Sequence, residues 1–232
     1  MMDFELSLKE AKKLIVAKQT EQANRILTNA LETLRSQPPD ALSQTDRLLL
    51  ESEIQEGLAD TKILEQQDQE ALSHLVAAMT QLETLEFPPT AVDPNELLFR
   101  VFRKMAGAFD RLGQQFEGEK YLRKAGEVKA NLLTAALRSR FSKAGYKVQV
   151  NVRAIASEAT PVDLIAEKGG FKKKRVAIWF VMDESEVDTI SYLTKGYKKF
   201  AKDRYIFLLM GTATIPTLSG ARVVNSIEQI AV

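Results

Sequence analysis

Three copies of one small–large–small apolar pattern constrain the first part of this chain more than any other feature. The copies are separated by steps of 48 and 47 residues, and an alanine stands 12 positions before each of them, at Ala11, Ala59 and Ala106. The three copies are Ala23, Leu27 and Ala30, then Ala71, Leu75 and Ala78, then Gly118, Leu122 and Ala125. Because small residues at matched positions let two helices approach closely, each repeat is predicted to form one antiparallel helical hairpin.

This pattern resembles the tetratricopeptide repeat. The third copy matches most closely, through Ala106, Phe109, Gly113, Gly118, Leu122 and Ala125. The period is longer than the usual one of about 34 residues, so longer helices or loops are predicted. The resemblance implies a helical array whose concave face binds a peptide or a protein partner. A helical bundle that only supports the rest of the chain is an equally open interpretation.

The apolar period changes from helical to strand-like near Gly145. A long helix is predicted from Glu119 to about Ala144. It is followed by predicted strands at 146–152, 162–166, 176–181, 205–210 and 221–225, with a helix at 187–202 between the third and fourth strands. We therefore predict a fold of class α plus α/β: a tetratricopeptide-like domain of residues 1–127, then an α/β domain of residues 128–232 with a mixed central sheet.

The order helix, three strands, helix, two strands, with Pro161, Val162 and Asp163 opening the second strand, resembles the restriction-endonuclease-like superfamily. Active members carry an aspartate on the second strand and an acid-x-lysine triplet on the third, where two carboxylates coordinate Mg²⁺ and the lysine orients or activates water. Asp163 matches the aspartate, but residues 177–181 contain neither the acid nor the lysine. The resemblance therefore implies a non-catalytic domain without metal or cofactor, in which Asp163 is vestigial.

A Mg²⁺-dependent nuclease with a relocated carboxylate remains an alternative. The candidates for that carboxylate are Glu158, Glu167, Asp183 and Glu184. A motif that lacks its confirming partners is a weak hypothesis, so the sequence favours the interpretation that the protein is not an enzyme.

Charge is distributed unevenly along the chain. Residues 1–100 contain 9 basic and 18 acidic side chains, and residues 101–232 contain 23 and 13. Two basic clusters are predicted to bind nucleic acid, one in the turn between the second and third strands and one along a helix face. Their members are Lys172, Lys173, Lys174 and Arg175, then Lys195, Lys198, Lys199 and Lys202. Seven of the eight are lysines, which contact phosphates as point charges, so binding to DNA or RNA is predicted to be electrostatic and nonspecific.

Several function classes have no support in the sequence. The chain has no cysteine and a single histidine, His74, which removes disulfides and thiolate or multi-histidine metal sites. It also lacks a phosphate-binding loop and a dinucleotide fingerprint. We expect a cytoplasmic protein that binds nucleic acid or an acidic partner and uses its helical repeats for protein contacts. A protein that serves only in interaction or assembly, including as a homo-oligomer, is the other open alternative.

Overall fold

The computed structural model describes residues 3–85, 91–152, 161–169, 173–210 and 220–231. The chain divides into two compact units, Met1–Val128 and Lys129–Val232. The first unit contains helices α1 (Phe4–Val16), α2 (Thr20–Ser36), α3 (Gln44–Leu64), α4 (Asp68–Glu83), α5 (Val92–Arg111) and the beginning of α6 (Gln115–Lys143). The second contains the rest of α6, strands β1 (Lys147–Val152), β2 (Val162–Lys168) and β3 (Lys174–Val181), helix α7 (Val187–Leu193), and strands β4 (Asp203–Leu208) and β5 (Arg222–Val224).

The helices of the first unit form three hairpins, each closed by the same three-residue turn. The middle residue of the turn has a left-handed backbone at Lys18 (φ 58°), Gln66 (φ 61°) and Gly113 (φ 75°). The amide that follows, always that of a glutamine, donates to the carbonyl five residues earlier over 2.8–2.9 Å, as in a Schellman motif. The turns recur at the same steps as the apolar pattern, which confirms the prediction of helical repeats.

The matched small residues of the repeats lie where paired helices approach. Ala11, Ala59 and Ala106 are at most 3% exposed. In the third hairpin a Cβ atom on Gly118 would lie 2.1 Å from Oδ1 of Asp110 and 3.3 Å from the carbonyl oxygen of Ala106. An alanine at this position, as in the other copies, would therefore require the Asp110 side chain to move.

The second unit is built on a mixed five-stranded sheet in the order β1-β2-β3-β4-β5. Strands β1, β2 and β3 pair antiparallel, and β3, β4 and β5 pair parallel. The chain enters this sheet through Gly145, whose φ of 81° ends α6 as the sequence predicts. The predicted element order of helix, three strands, helix and two strands is present.

Helices cover both faces of the sheet. On one face Leu137 and Phe141 of α6 pack in one cluster with Ile178 and Tyr205. On the other face Trp179 packs edge-on against Tyr197, with 5.3 Å between the ring centroids. The apolar run of β3 is therefore buried on both faces, as its composition predicts.

The predicted helix at 187–202 is wrong beyond Leu193. The chain continues as a 3₁₀ turn, Thr194–Lys198, and reaches the start of β4 at Asp203. Gly196 lies within this turn, and glycine costs a helix interior about 1 kcal/mol relative to alanine. None of the helices in the described ranges combines the length and the apolar character needed to cross a membrane.

The predicted turn between the second and third strands is also too long. Strand β2 continues to Lys168 and β3 starts at Lys174, so that Glu167 pairs with Arg175 and Lys168 with Lys174 across the strands. The opposite charges of Glu167 and Arg175 favour this extension of the ladder.

Candidate functional site

The carboxylate of Asp163 makes a structural hydrogen bond. Its Oδ2 accepts the backbone N–H of Phe180 over 2.8 Å, where β2 and β3 separate. Burial raises the pKa of Asp163, and the hydrogen bond from Phe180 offsets only part of that rise. Desolvation of this kind disfavours the charged form that a metal ligand requires.

The relocated carboxylates do not assemble around Asp163 in the described part of the chain. Glu167 bonds Arg175 and also pairs with Lys173 over 3.3 Å. Asp183 instead accepts the amide of Ser185 over 2.8 Å. Among the described residues no three acidic or histidine side chains lie close enough to hold a metal ion. Glu158 is outside the described residues, and Glu184 begins a 3₁₀ turn, Glu184–Glu186.

The two basic clusters meet in one concave surface, which we call the basic cavity. Its volume is about 460 Å³. It is lined by Lys173, Lys174, Arg175, Lys198, Lys199, Phe200, Lys202 and Asp203. Six cations and a single acid therefore belong to this lining. The Lys174 ammonium lies 5.8 Å from the centre of the Tyr146 ring, on the opposite face of β3 from Arg175. Of the eight predicted residues, Lys172 is outside the described residues and Lys195 is not part of this lining.

The topology of the sheet explains why the clusters meet. Strands β3 and β4 are parallel neighbours, with Val176 opposite Asp203, so both strands begin at the same edge of the sheet. Lys173 and Lys174 lie at the start of β3, and Lys198 to Lys202 immediately precede β4. Segments that enter adjacent parallel strands must lie side by side. No local sequence pattern carries this information.

The predicted placement of the cations needs two corrections. Lys174 and Arg175 belong to strand β3 and are not at the tip of a turn. Lys195 and Lys198 lie in the 3₁₀ turn, and Lys199 follows it, so these lysines do not form one α-helical stripe. Instead the Nζ atom of Lys195 lies 4.8 Å from the centre of the Tyr192 ring.

A second concave surface, the side cavity, adjoins the basic cavity and was not predicted from the sequence. Its volume is about 290 Å³, and it shares Arg175 and Phe200 with the basic cavity. The remaining lining residues are Lys147, Gln149, Val152, Ile165 and Glu167. The hydrogen bond that Arg175 donates, followed by that of Lys173, lowers the pKa of Glu167, so this carboxylate is ionised at neutral pH.

The first unit has its own cavities, along the first helices of the hairpins. One, of about 560 Å³, lies at α1 and α3, and the other, of about 400 Å³, at α3 and α5. Their lining positions correspond across the repeats at a constant offset of 95 residues. Glu5, Leu8, Lys9, Lys12 and Val16 in the first match Arg100, Arg103, Lys104, Gly107 and Arg111 in the second. The same helix face is therefore open in two repeats.

An ion-pair network holds α5 against α3 at the second of these cavities. Glu56 is 3% exposed and accepts hydrogen bonds from Arg100 and Lys104, each at 2.8 Å. Burial acts to raise the pKa of Glu56, but the hydrogen bond from Arg100 and the charge of Lys104 outweigh it and hold the pKa below its usual value. Lys104 also bonds Asp60 over 2.8 Å. Two of the cations on α5, Arg100 and Lys104, are therefore paired with acids of α3.

Comparison with known proteins gives one structural likeness. No protein-family profile matches the chain, and no curated protein matches it. A crystal structure of a TPR-like protein from Chlorobium tepidum TLS is 19% identical to this chain, with a TM-score of 0.47. The match covers 60% of this chain and 94% of that one.

Proposed function

We propose that the protein binds nucleic acid through the basic cavity and does not cleave it. The observation that carries this proposal is the meeting of six cations from two separate sequence clusters in one concave surface of about 460 Å³. A phosphate backbone is a regular row of negative charges, and a concave row of lysines matches it and releases its counterions.

The resemblance to restriction-endonuclease-like domains supports the first part of the proposal. The helix, the three antiparallel strands, the second helix and the parallel strand β4 follow in the order on which the resemblance is based. The environment of Asp163 supports the second part. A single desolvated carboxylate bonded to a backbone amide would leave Mg²⁺ short of ligands.

Removing charge from the basic cavity tests the proposal. Replacing Lys198, Lys199 and Lys202 by glutamine is expected to weaken binding of a short oligonucleotide by roughly 10- to 100-fold at about 0.1 M salt. Replacing the exposed Lys18, Arg25 and Arg123 by glutamine removes the same charge elsewhere and is the control. Equal losses in both variants would mean that only net charge matters. Salt-dependent self-association without nucleic-acid binding would favour an assembly protein instead.

We also propose that the helical unit makes protein contacts. This proposal is supported by the helix face that is open on the first helices of two hairpins. One cavity lies on that face at α1 and α3, and the other at α3 and α5. Gly107 lies within the groove at α5, and a side chain added there would meet only the end of the Arg111 side chain, at 3.4 Å.

A blocking variant tests this contact face. Peptides selected from a displayed library on the whole protein are expected to lose binding to Gly107→Trp. They are expected to keep binding to Val76→Trp, because Val76 is exposed on α4, a second helix of a hairpin. Peptides that bind both variants equally would contradict the proposal.

A further inference from the structure

The side cavity differs in chemistry from the basic cavity beside it. Its floor includes the apolar side chains of Val152 and Ile165, and its rim includes the amide of Gln149 and the carboxylate of Glu167. Glu167 is paired with Arg175 and Lys173, and Lys147 adds one further cation to the lining. The amide of Gln149 both donates and accepts hydrogen bonds. The side cavity therefore offers apolar surface and polar edges to a flat group. Its volume of about 290 Å³ lies at the lower limit of small-molecule sites, about 300 Å³.

Arg175 separates the two cavities and is held in a fixed orientation. Its guanidinium carbon lies 4.5 Å from the centre of the Phe200 ring, and its Nε donates to Glu167. With its carbon over an aromatic ring and its Nε on a carboxylate, the guanidinium is held at two points. The Arg175 side chain nevertheless remains 27% exposed, so it is accessible from the cavities that it lines.

A fixed guanidinium plane is a stacking platform for a nucleobase. Sequence-specific and nonspecific proteins that bind single strands both stack unpaired bases on aromatic rings or on arginine planes. In a duplex the bases are stacked inside, and only phosphates and groove edges face outward. A base can therefore enter a cavity with apolar walls only if it is unpaired.

We propose that the ligand of the basic cavity is single-stranded nucleic acid, one base of which enters the side cavity and stacks on Arg175. This inference rests on the proposed function. The phosphates on either side of that base lie on the lysines of the basic cavity, and Glu167 holds Arg175 in place through its hydrogen bond. Gln149 offers hydrogen bonds to the edge of the base.

An abasic strand separates the contribution of the phosphates to binding from that of the bases, because it carries the phosphates without the bases. We would compare binding of a thymidine strand of about 12 nucleotides with that of an abasic strand of the same length, using fluorescence anisotropy. The whole protein is expected to bind the thymidine strand about 5- to 150-fold more tightly, which is the contribution of one stacked base. Arg175→Lys keeps the charge and loses the plane, so it is expected to remove most of that preference, measured as the ratio of the two affinities.

A second pair of variants tests the same inference independently, in case Arg175→Lys does not fold. Gln149→Trp is expected to fill the side cavity and remove the preference for bases. Val150→Trp places the same side chain on the next residue of β1, which is also exposed and points to the other face of the sheet. It is expected to keep the preference.

The outcomes distinguish a failure of this inference from a failure of the proposed nucleic-acid binding on which it rests. If neither strand binds, the proposed function itself is wrong. If both strands bind equally, or if a duplex binds more tightly than the thymidine strand, the basic cavity binds phosphates but no base enters the side cavity. If Gln149→Trp and Val150→Trp behave alike, the base is bound elsewhere.

Discussion

Asp163 has a structural role, which is to accept a backbone hydrogen bond. The carboxylate accepts the Phe180 amide at the point where β2 leaves β3, and so satisfies a backbone donor that the ladder no longer pairs. Any acceptor of the same shape fills that role. The hydrogen bond from Phe180 favours the charged carboxylate, but burial outweighs it, so the charge is costly on balance.

Asp163→Asn is therefore expected to stabilise the protein at neutral pH. A folded pKa raised above the ordinary value of 3.8 means that wild-type stability declines as pH rises from about 3.8 through that raised value. The asparagine keeps the acceptor oxygen and has no such decline. Denaturant unfolding at several pH values measures both effects. A variant that is less stable than wild type at neutral pH would mean that the charge contributes favourably.

The same residue provides the test for catalysis. We expect the purified protein to cleave neither DNA nor RNA in Mg²⁺ or Mn²⁺, because among the described residues no three acidic or histidine side chains lie close enough to hold a metal ion. Any activity should be compared between wild type and Asp163→Asn. A contaminating nuclease would be indifferent to the substitution, whereas activity that Asp163→Asn abolishes would establish a metal-dependent site.

Among the secondary-structure elements, the helical hairpins depend on left-handed turn residues. Gly113 adopts φ 75° without strain, whereas Gln66 adopts φ 61° with a side chain. The left-handed region costs a residue with a Cβ atom roughly 1–2 kcal/mol. The three turns are otherwise alike in their hydrogen bonds, so they provide a matched comparison.

Opposite substitutions at these turns are expected to have opposite effects. Gly113→Ala should lower the free energy of unfolding by about 1 kcal/mol, and Gln66→Gly should raise it by about half as much, because glycine also gains freedom in the unfolded chain. Chemical denaturation of the whole protein measures both changes. If Gly113→Ala costs nothing, the turn does not have the geometry described.

The sequence predicts the elements whose pattern is local. Ala59 and Leu75 lie at helix contacts because apolar residues repeat with the period of an α-helix. The strand around Trp179 is predicted from an unbroken run of apolar residues. The end of β2 at Lys168 could not be predicted in this way, because it depends on cross-strand pairing with Lys174. The end of α7 at Leu193 has a local signal in Gly196, which the apolar period does not contain.

For the whole molecule, the two compact units suggest that the second has a core of its own. The half of α6 after Val128 supplies Leu137 and Phe141 to the cluster on the sheet. A fragment of residues 128–232 is therefore expected to unfold cooperatively when followed by circular dichroism. A fragment that begins at Gln115, the start of α6, is the comparison. If both fragments are unfolded, the second unit is not a domain.

The meeting of the lysine clusters is a property of the whole second unit. Lys174 and Lys202 are separated by 28 positions in the sequence, and they come together only because β3 and β4 are adjacent and parallel. Each cluster could be found in the sequence by its charge. The side cavity at Gln149 could not, since it depends on three strands and on where Phe200 packs.

The salt dependence of binding tests the central claim most directly. For a single strand, log K is expected to fall with log salt at about 0.7 per phosphate contact. If four of the six cations of the basic cavity contact phosphates, the slope is about −2.8, a loss of roughly 50-fold between about 50 and 200 mM salt. Replacing Lys198, Lys199 and Lys202 by glutamine should leave one to three of these contacts and flatten the slope to about −0.7 to −2.1. Binding that ignores salt, or a slope that this triple change leaves intact, would contradict the account.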